Sequence, residues 1–220
     1  VHPCGQQYLQ RFTKGFFSFF LYEEKGIRLK KTICMIHDEN TVVVQYKAEK
    51  AETPFKLDLL PLMAARGYHE LGQASPRMHW DAGFDQGIFH SQPDGVNHLY
   101  IAVPGAAYQH TPRWFYDFDY EVEGYRGLDH TEDLFNHGTF TVEMKKGDEL
   151  NIIISTEDPK GRDGAALVKL ELKRRKDLLK GQPGDEMLQQ LVLAADQFIV
   201  QRSRDLKTVI AGYHWFTDWG

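Results

Sequence analysis

Four groups of residues carry side chains that could do chemistry. The first is Gly212-Tyr213-His214-Trp215-Phe216-Thr217-Asp218-Trp219-Gly220. Indole faces such as Trp215 and Trp219 stack on the C–H faces of a pyranose, and a carboxylate such as Asp218 accepts hydrogen bonds from its hydroxyls. On chemistry alone the simpler reading is that the same aromatics plug a core. The second group is Arg126, Asp129, Glu132 and Asp133, just after an aromatic run. Glycosidic hydrolysis needs two carboxylates across one bond. Acids and an arginine this close along a connecting segment instead form local salt bridges and turn contacts, and that is the reading taken here. The third is His69, His79, Trp80 and Asp81. These include metal-ligand types, but no His-x-x-x-His pair or cysteine cluster accompanies them, so they read as a hydrogen-bonded loop. The fourth is Trp114-Phe115-Tyr116-Asp117-Phe118-Asp119-Tyr120, a sugar platform or, more simply, a strand with one face in the core. There is no glycine-rich phosphate loop and no Gly-x-Ser-x-Gly.

The elements that must position these groups are mostly strands. Residues 16–22 form an aromatic run of strand length, followed by a turn at Glu24-Lys25-Gly26. Ile27, Leu29, Lys31, Ile33 and Met35 then alternate with Arg28, Lys30, Thr32 and Cys34. Asp38-Glu39-Asn40 is a turn, and residues 41–46 are β-branched and strand-like. Phe55, Leu57 and Leu59 alternate up to Pro61. Residues 72–95 are rich in loop formers. Strands are expected at 87–90 and 98–103 around Pro93-Asp94-Gly95, at 114–122, and at 139–144 and 150–154 around Lys146-Gly147-Asp148. Strands every ten residues or so, with polar turns between them, predict an antiparallel β-sandwich.

Near Asp158 the pattern changes. Pro159 to Gly164 breaks the strand pattern, and the composition of residues 165–179 favours a helix over the strand that Val168, Leu170 and Leu172 would also permit. After Gln182-Pro183-Gly184, Asp185 is a plausible N-cap. Leu188, Leu191, Val192, Ala195, Phe198 and Ile199 share one stripe of a helix running to Val200. The expected organisation is a sandwich over 1–158, a linker helix region over 159–184, and a helix and aromatic loop over 185–220.

The chain has 220 residues and a net charge of −5. That balance argues against a nucleic-acid partner, and the basic patch Lys173-Arg174-Arg175-Lys176 reads as a solvated helix face. No apolar run approaches the ~20 residues of a membrane helix. Cys4 and Cys34 have no metal spacing, and a reduced, cytoplasmic chain is the expectation. Val1 in place of Met reads as a start inside a longer protein.

The stretch from Thr208 to Gly220 resembles the opening of the catalytic domain in bacterial and archaeal glycogen debranching enzymes of the amylo-α-1,6-glucosidase type. Leu193 to Val200, Arg126 to Phe135, and Pro61 to His69, with its Arg66-Gly67-Tyr68-His69, are similar to segments of the same family, in the same order. His214 departs from the family, which more often has proline there, and the family's following Arg-Asp would fall beyond Gly220.

The resemblance implies a large, supersandwich-like domain running into the first helix of an (α/α)6 barrel, cut short at both ends. It implies hydrolysis of α-1,6-linked glucose at glycogen branch points by an inverting acid–base pair about 6.5–9.5 Å apart, with both carboxylates beyond this chain and no cofactor. Trp215, Asp218 and Trp219 would line the glucose pocket, and Arg126 and Asp129 would contact the glucan or the catalytic domain. The implied partners are a branched α-glucan and the missing barrel, whose absence would leave a helix stripe exposed for self-association. The rival readings are a stand-alone carbohydrate-binding module and a related glycosidase for maltose-type or trehalose-type bonds.

Overall fold

A computed structural model describes residues 5–67, 69–76, 78–95, 97–182, 184–203 and 205–213. The chain divides into two compact units, residues 1–35 with 40–164, and residues 36–39 with 165–220.

The first unit is built from eleven strands: β1 (Leu9–Lys14), β2 (Ser18–Glu24), β3 (Ile27–Met35), β4 (Thr41–Lys50), β5 (Phe55–Leu59), β6 (Ala82–Asp85), β7 (Ile88–Ser91), β8 (Leu99–Ala102), β9 (Ala107–Asp119), β10 (Thr131–Met144) and β11 (Glu149–Ser155). One short helix, α1 (Glu121–Tyr125), interrupts them. An eight-stranded sheet has the order β1-β2-β3-β4-β11-β8-β7-β6, and a three-stranded sheet the order β5-β10-β9. Neighbouring strands are antiparallel. The tightest hairpins turn on Lys25-Gly26 and Gln86-Gly87, where both residues of each pair have positive φ. That is the mirror-image turn whose twist matches the flanking strands.

Register explains the core. Val44 lies opposite Ile33 and Ile152, and Tyr46 opposite Lys31 and Leu150, so one face of the large sheet carries Val44, Tyr46, Leu150 and Ile152. On the small sheet Phe140 lies between Leu59 and Tyr108, Val142 opposite Leu57, and Met144 opposite Phe55. These two faces pack together with Phe89, Ile101 and Val103 as one apolar cluster. Phe140 sits 4.9 Å from the Tyr108 ring centroid and 5.7 Å from that of Phe89. The result is the antiparallel sandwich that the strand spacing predicts.

The second unit contains most of α2 (Gly164–Leu178), then α3 (Glu186–Phe198) and a hairpin of β12 (Ile199–Ser203) and β13 (Leu206–Val209). Asp185 caps α3, its side chain accepting from the Leu188 N–H at 2.7 Å. Arg174 of α2 donates to Asp196 of α3 through Nη1 at 3.0 Å and Nη2 at 2.7 Å. It also donates to Glu171, which Arg175 reaches as well. Burial pushes the Glu171 carboxyl up, but the two guanidiniums outweigh it and hold it below the usual range. Among the described residues of α3 none is buried, and Met187, Leu188 and Leu191 are exposed.

Several elements depart from expectation. β1 and β6 lie where no strand was expected. β9 begins at Ala107 rather than Trp114, and the chain leaves the sheet at Tyr120, because residues 121–125 turn into α1. The acidic Glu121 and Glu123 suit the first turn of a helix. β10 begins at Thr131, so the acidic motif is half strand. α3 stops at Phe198, two residues before Val200, and residues 199–209 form the hairpin that replaces part of the expected aromatic loop.

Candidate functional site

The acidic motif sits where β9 hands over to β10. The two strands are bridged by an excursion, residues 120–130, closed at its base by the Tyr120 N–H donating to the His130 carbonyl at 2.8 Å. His130 and Asp119 meet at the same base, 2.8 Å apart. Arg126 and Asp129 lie exposed on this excursion, with Arg126 Nη1 3.4 Å from Glu123 Oε2. Its apolar side chains are exposed too: Val122 and Leu128, and Tyr125 at 93%.

Glu132 behaves in the opposite way. It is 1% exposed, at the start of β10. Its Oε1 accepts from Arg66 Nε and, at 3.1 Å, from the Gly72 N–H. Its Oε2 accepts from Arg66 Nη2 at 2.9 Å and the Tyr120 hydroxyl at 2.7 Å. Four donors fill the roughly four lone-pair positions of a carboxylate. The bonds from Arg66 lead, and they overcome burial to hold Glu132 at a pKa of about 2. The partners respond in the matching sense: the bond to Glu132 raises both Arg66 and Tyr120.

The next residues continue this lacing. Asp133 accepts from the Ala74 N–H at 2.9 Å and from the N–H of Asp117, a left-handed residue at φ +58, at 3.0 Å. The backbones of Phe135 and Met63 exchange bonds of 2.8 and 3.0 Å. Asn136 donates to the carbonyls of Pro61 and Gly138. Buried His137 donates through Nε2 to the His79 carbonyl at 3.1 Å, and burial pushes its imidazole pKa down. The Phe135 ring meets those of Trp80, Trp114 and His137 at 5.0, 5.2 and 4.7 Å. Pro61, Met63, Arg66, Gly72, Ala74 and His79 are thus each fastened to β10. Two bulges, at Glu132/Leu134 and Asn136/Gly138, turn consecutive polar residues into the bonding positions.

This arrangement has a chemical consequence. A carboxylate with four donors and a pKa of about 2 neither carries a proton near neutral pH nor has a lone pair left to take one. Glu132 is therefore a structural anion, and Asp133 is engaged by two backbone N–H groups. An expected local ion pair forms between Arg126 and Glu123; Glu132 and Asp133 instead bond to distant Arg66, Gly72 and Ala74, and residues 131–135 are strand rather than loop. The sequence singled out Glu132, Asp133 and, in the aromatic run, Tyr120, but not the neighbouring buried Asn136 and His137. Arg66, a lone cation in a stretch of Pro, Ala and Gly, was the visible clue to a buried partner.

The other expected site residues fall elsewhere. Trp215, Asp218 and Trp219 lie outside the described residues. Trp114 packs on Phe135, and Tyr116 on the same strand is exposed. His79 and Asp81 are exposed, and Trp80 is partly so. Among the described residues no three His, Cys, Asp or Glu side chains are placed to hold a metal ion, and no helix is long and apolar enough to cross a membrane.

The domain is thus a two-sheet antiparallel sandwich in which the acidic pair Glu132 and Asp133 bonds to the segment that precedes β6. Residues 1–151 match the family model for the glycogen debranching enzyme N-terminal domain, and the chain belongs to that family. No curated protein matches the chain.

Proposed function

We propose that this chain is the N-terminal part of a glycoside hydrolase that cleaves α-1,6-glucosidic branch linkages in glycogen in the cytoplasm. Its role is to support the catalytic domain and to shape glucan binding. Residues 1–158 are the sandwich, 159–184 the linker region, and 185–220 the first helix and loop of an (α/α)6 barrel. The observation that carries the reading is the fastening of one family-like segment to the other. Arg66, in the Pro61–His69 stretch, pairs with Glu132, in the Arg126–Phe135 stretch. Both stretches fall within the matched residues 1–151.

In this reading the acid and base come from the barrel. Trp215, Asp218 and Trp219 bind the glucose unit, and the exposed Arg126 and Asp129 face the glucan or the barrel. The apolar stripe of Leu188 and Leu191 on α3 is what the barrel covers, since exposed stripes of this kind mark missing partners.

The test is substrate choice by a chain extended through the barrel. Glucose release from a phosphorylase-limit dextrin, with little from maltose or trehalose, supports debranching. Preference for maltose or trehalose replaces it with the related-glycosidase reading. Glucan binding with no hydrolysis of any of the three favours a binding module.

A further inference from the structure

At the β6 end of the eight-stranded sheet, an open cleft of about 570 Å3 is lined by His79, Asp81, Gly83, His90, Gln92 and His98 among others. That volume lies in the ordinary range of small-molecule sites. Strand alternation sets its character. Phe84, Phe89 and Ile101 point into the core, so Gly83 and its register partner His90, together with Tyr100 opposite His90, face outward. A Cβ on Gly83 would come within 2.2 Å of His90 Nε2, so the missing side chain is what lets the imidazole lie across the strand. His98 stacks on Tyr100, with centroids 5.8 Å apart and planes 21° apart, and lies 3.3 Å from Gln92 through Nε2. The wall at His79 is fixed from behind, because its carbonyl accepts the bond from buried His137. That bond holds the His79 backbone in place, which lowers the ordering cost of binding there.

The lining discriminates between ligand classes. Its described side chains include no lysine or arginine and do include the carboxylate of Asp81, which disfavours anions. Its imidazoles do not converge into a metal-binding group. It is too polar for an apolar ligand. Imidazole, amide, hydroxyl and carboxylate groups that donate and accept suit an uncharged polyol.

We propose that this cleft binds one or two sugar units of a neutral oligosaccharide. That the sugar is α-linked glucose rests on the function proposed above; the neutral-sugar chemistry does not.

The test is titration of the 220-residue chain with maltoheptaose and with cellohexaose, followed by NMR or calorimetry, with inorganic phosphate and Zn2+ as further probes. Removing one hydrogen-bonding group weakens binding by about 5–10-fold. The variants are His90→Ala, Gln92→Ala and Gly83→Ala, the last displacing His90 without removing it. Thermal midpoints identify any variant that is misfolded, and each of the three carries the test without the others. Maltoheptaose binding weakened by the folded variants supports the proposal. Cellohexaose binding alone, equally weakened, upholds the cleft and removes the α-glucan reading. No sugar binding at tens of millimolar, binding indifferent to all folded variants, or uptake of only phosphate or Zn2+ overturns it.

Discussion

Replacing Glu132 by glutamine tests the clasp between the two family-like segments. The change keeps the size and one acceptor but leaves the Arg66 guanidinium against an uncharged amide. Glu132 falls from 4.5 to about 2 in the folded protein. At about 1.4 kcal/mol per pKa unit, that is on the order of 3 kcal/mol of stability carried by the ionised form. The figure agrees with the 3–5 kcal/mol typical of breaking a buried pair by removing one partner. Because the folded pKa is depressed, the contribution is fully present above the unfolded value near 4.5. It is lost as pH falls through about 2. Urea unfolding near pH 7 should show Glu132→Gln less stable by about 3 kcal/mol, and the gap should close between about pH 4.5 and 2. Equal stability near neutral pH, or a gap that widens in acid, would refute the reasoning.

Four further outcomes are expected. Asp133→Ala leaves the Ala74 and Asp117 N–H groups without their acceptor, costing about 1–3 kcal/mol and speeding amide exchange there. His137 titrates below its ordinary value when folded, so the wild type loses stability as pH falls below about 6.5. His137→Phe should lack that component in a pH series of melts. Arg174→Met removes the bonds between α2 and α3, costing on the order of 2 kcal/mol and raising hydrogen exchange in α3. The exposed stripe of α3 should drive association, so light scattering should give a mass that rises with concentration and that Leu191→Glu returns to monomer; a monomer at high concentration counts against it.

Much of the sandwich was legible because its signals are local. Lys25-Gly26 and the alternation of Ile27 to Met35 specify a hairpin without knowledge of anything distant. The start of β10 was not legible, for a physical reason. Glu132, Asp133, Asn136 and His137 are buried polar residues on a bulged strand, and polar runs broken in period look like loops. What keeps them buried is Arg66 and the backbone groups of Pro61, Gly72, Ala74 and His79, partners that sequence spacing does not reveal. β6 was hidden by Gly83, whose role is to make room for His90 on the neighbouring strand. At the end of α3 the apolar Phe198 and Ile199 fit helix or strand equally, and pairing of Ile199 with Val209 decides for the strand. The acidic motif read as structural from the sequence, but the distant Arg66, Gly72 and Ala74 that hold it were not part of that reading.

The most direct measurement is glucose release from phosphorylase-limit dextrin by the 220-residue chain, beside a chain extended through the proposed barrel. The account predicts release by the extended chain alone. Glucose released by the 220-residue chain itself would contradict it, placing the acid and base within these residues and returning Asp129, Glu132 and Asp133 to consideration as catalytic carboxylates.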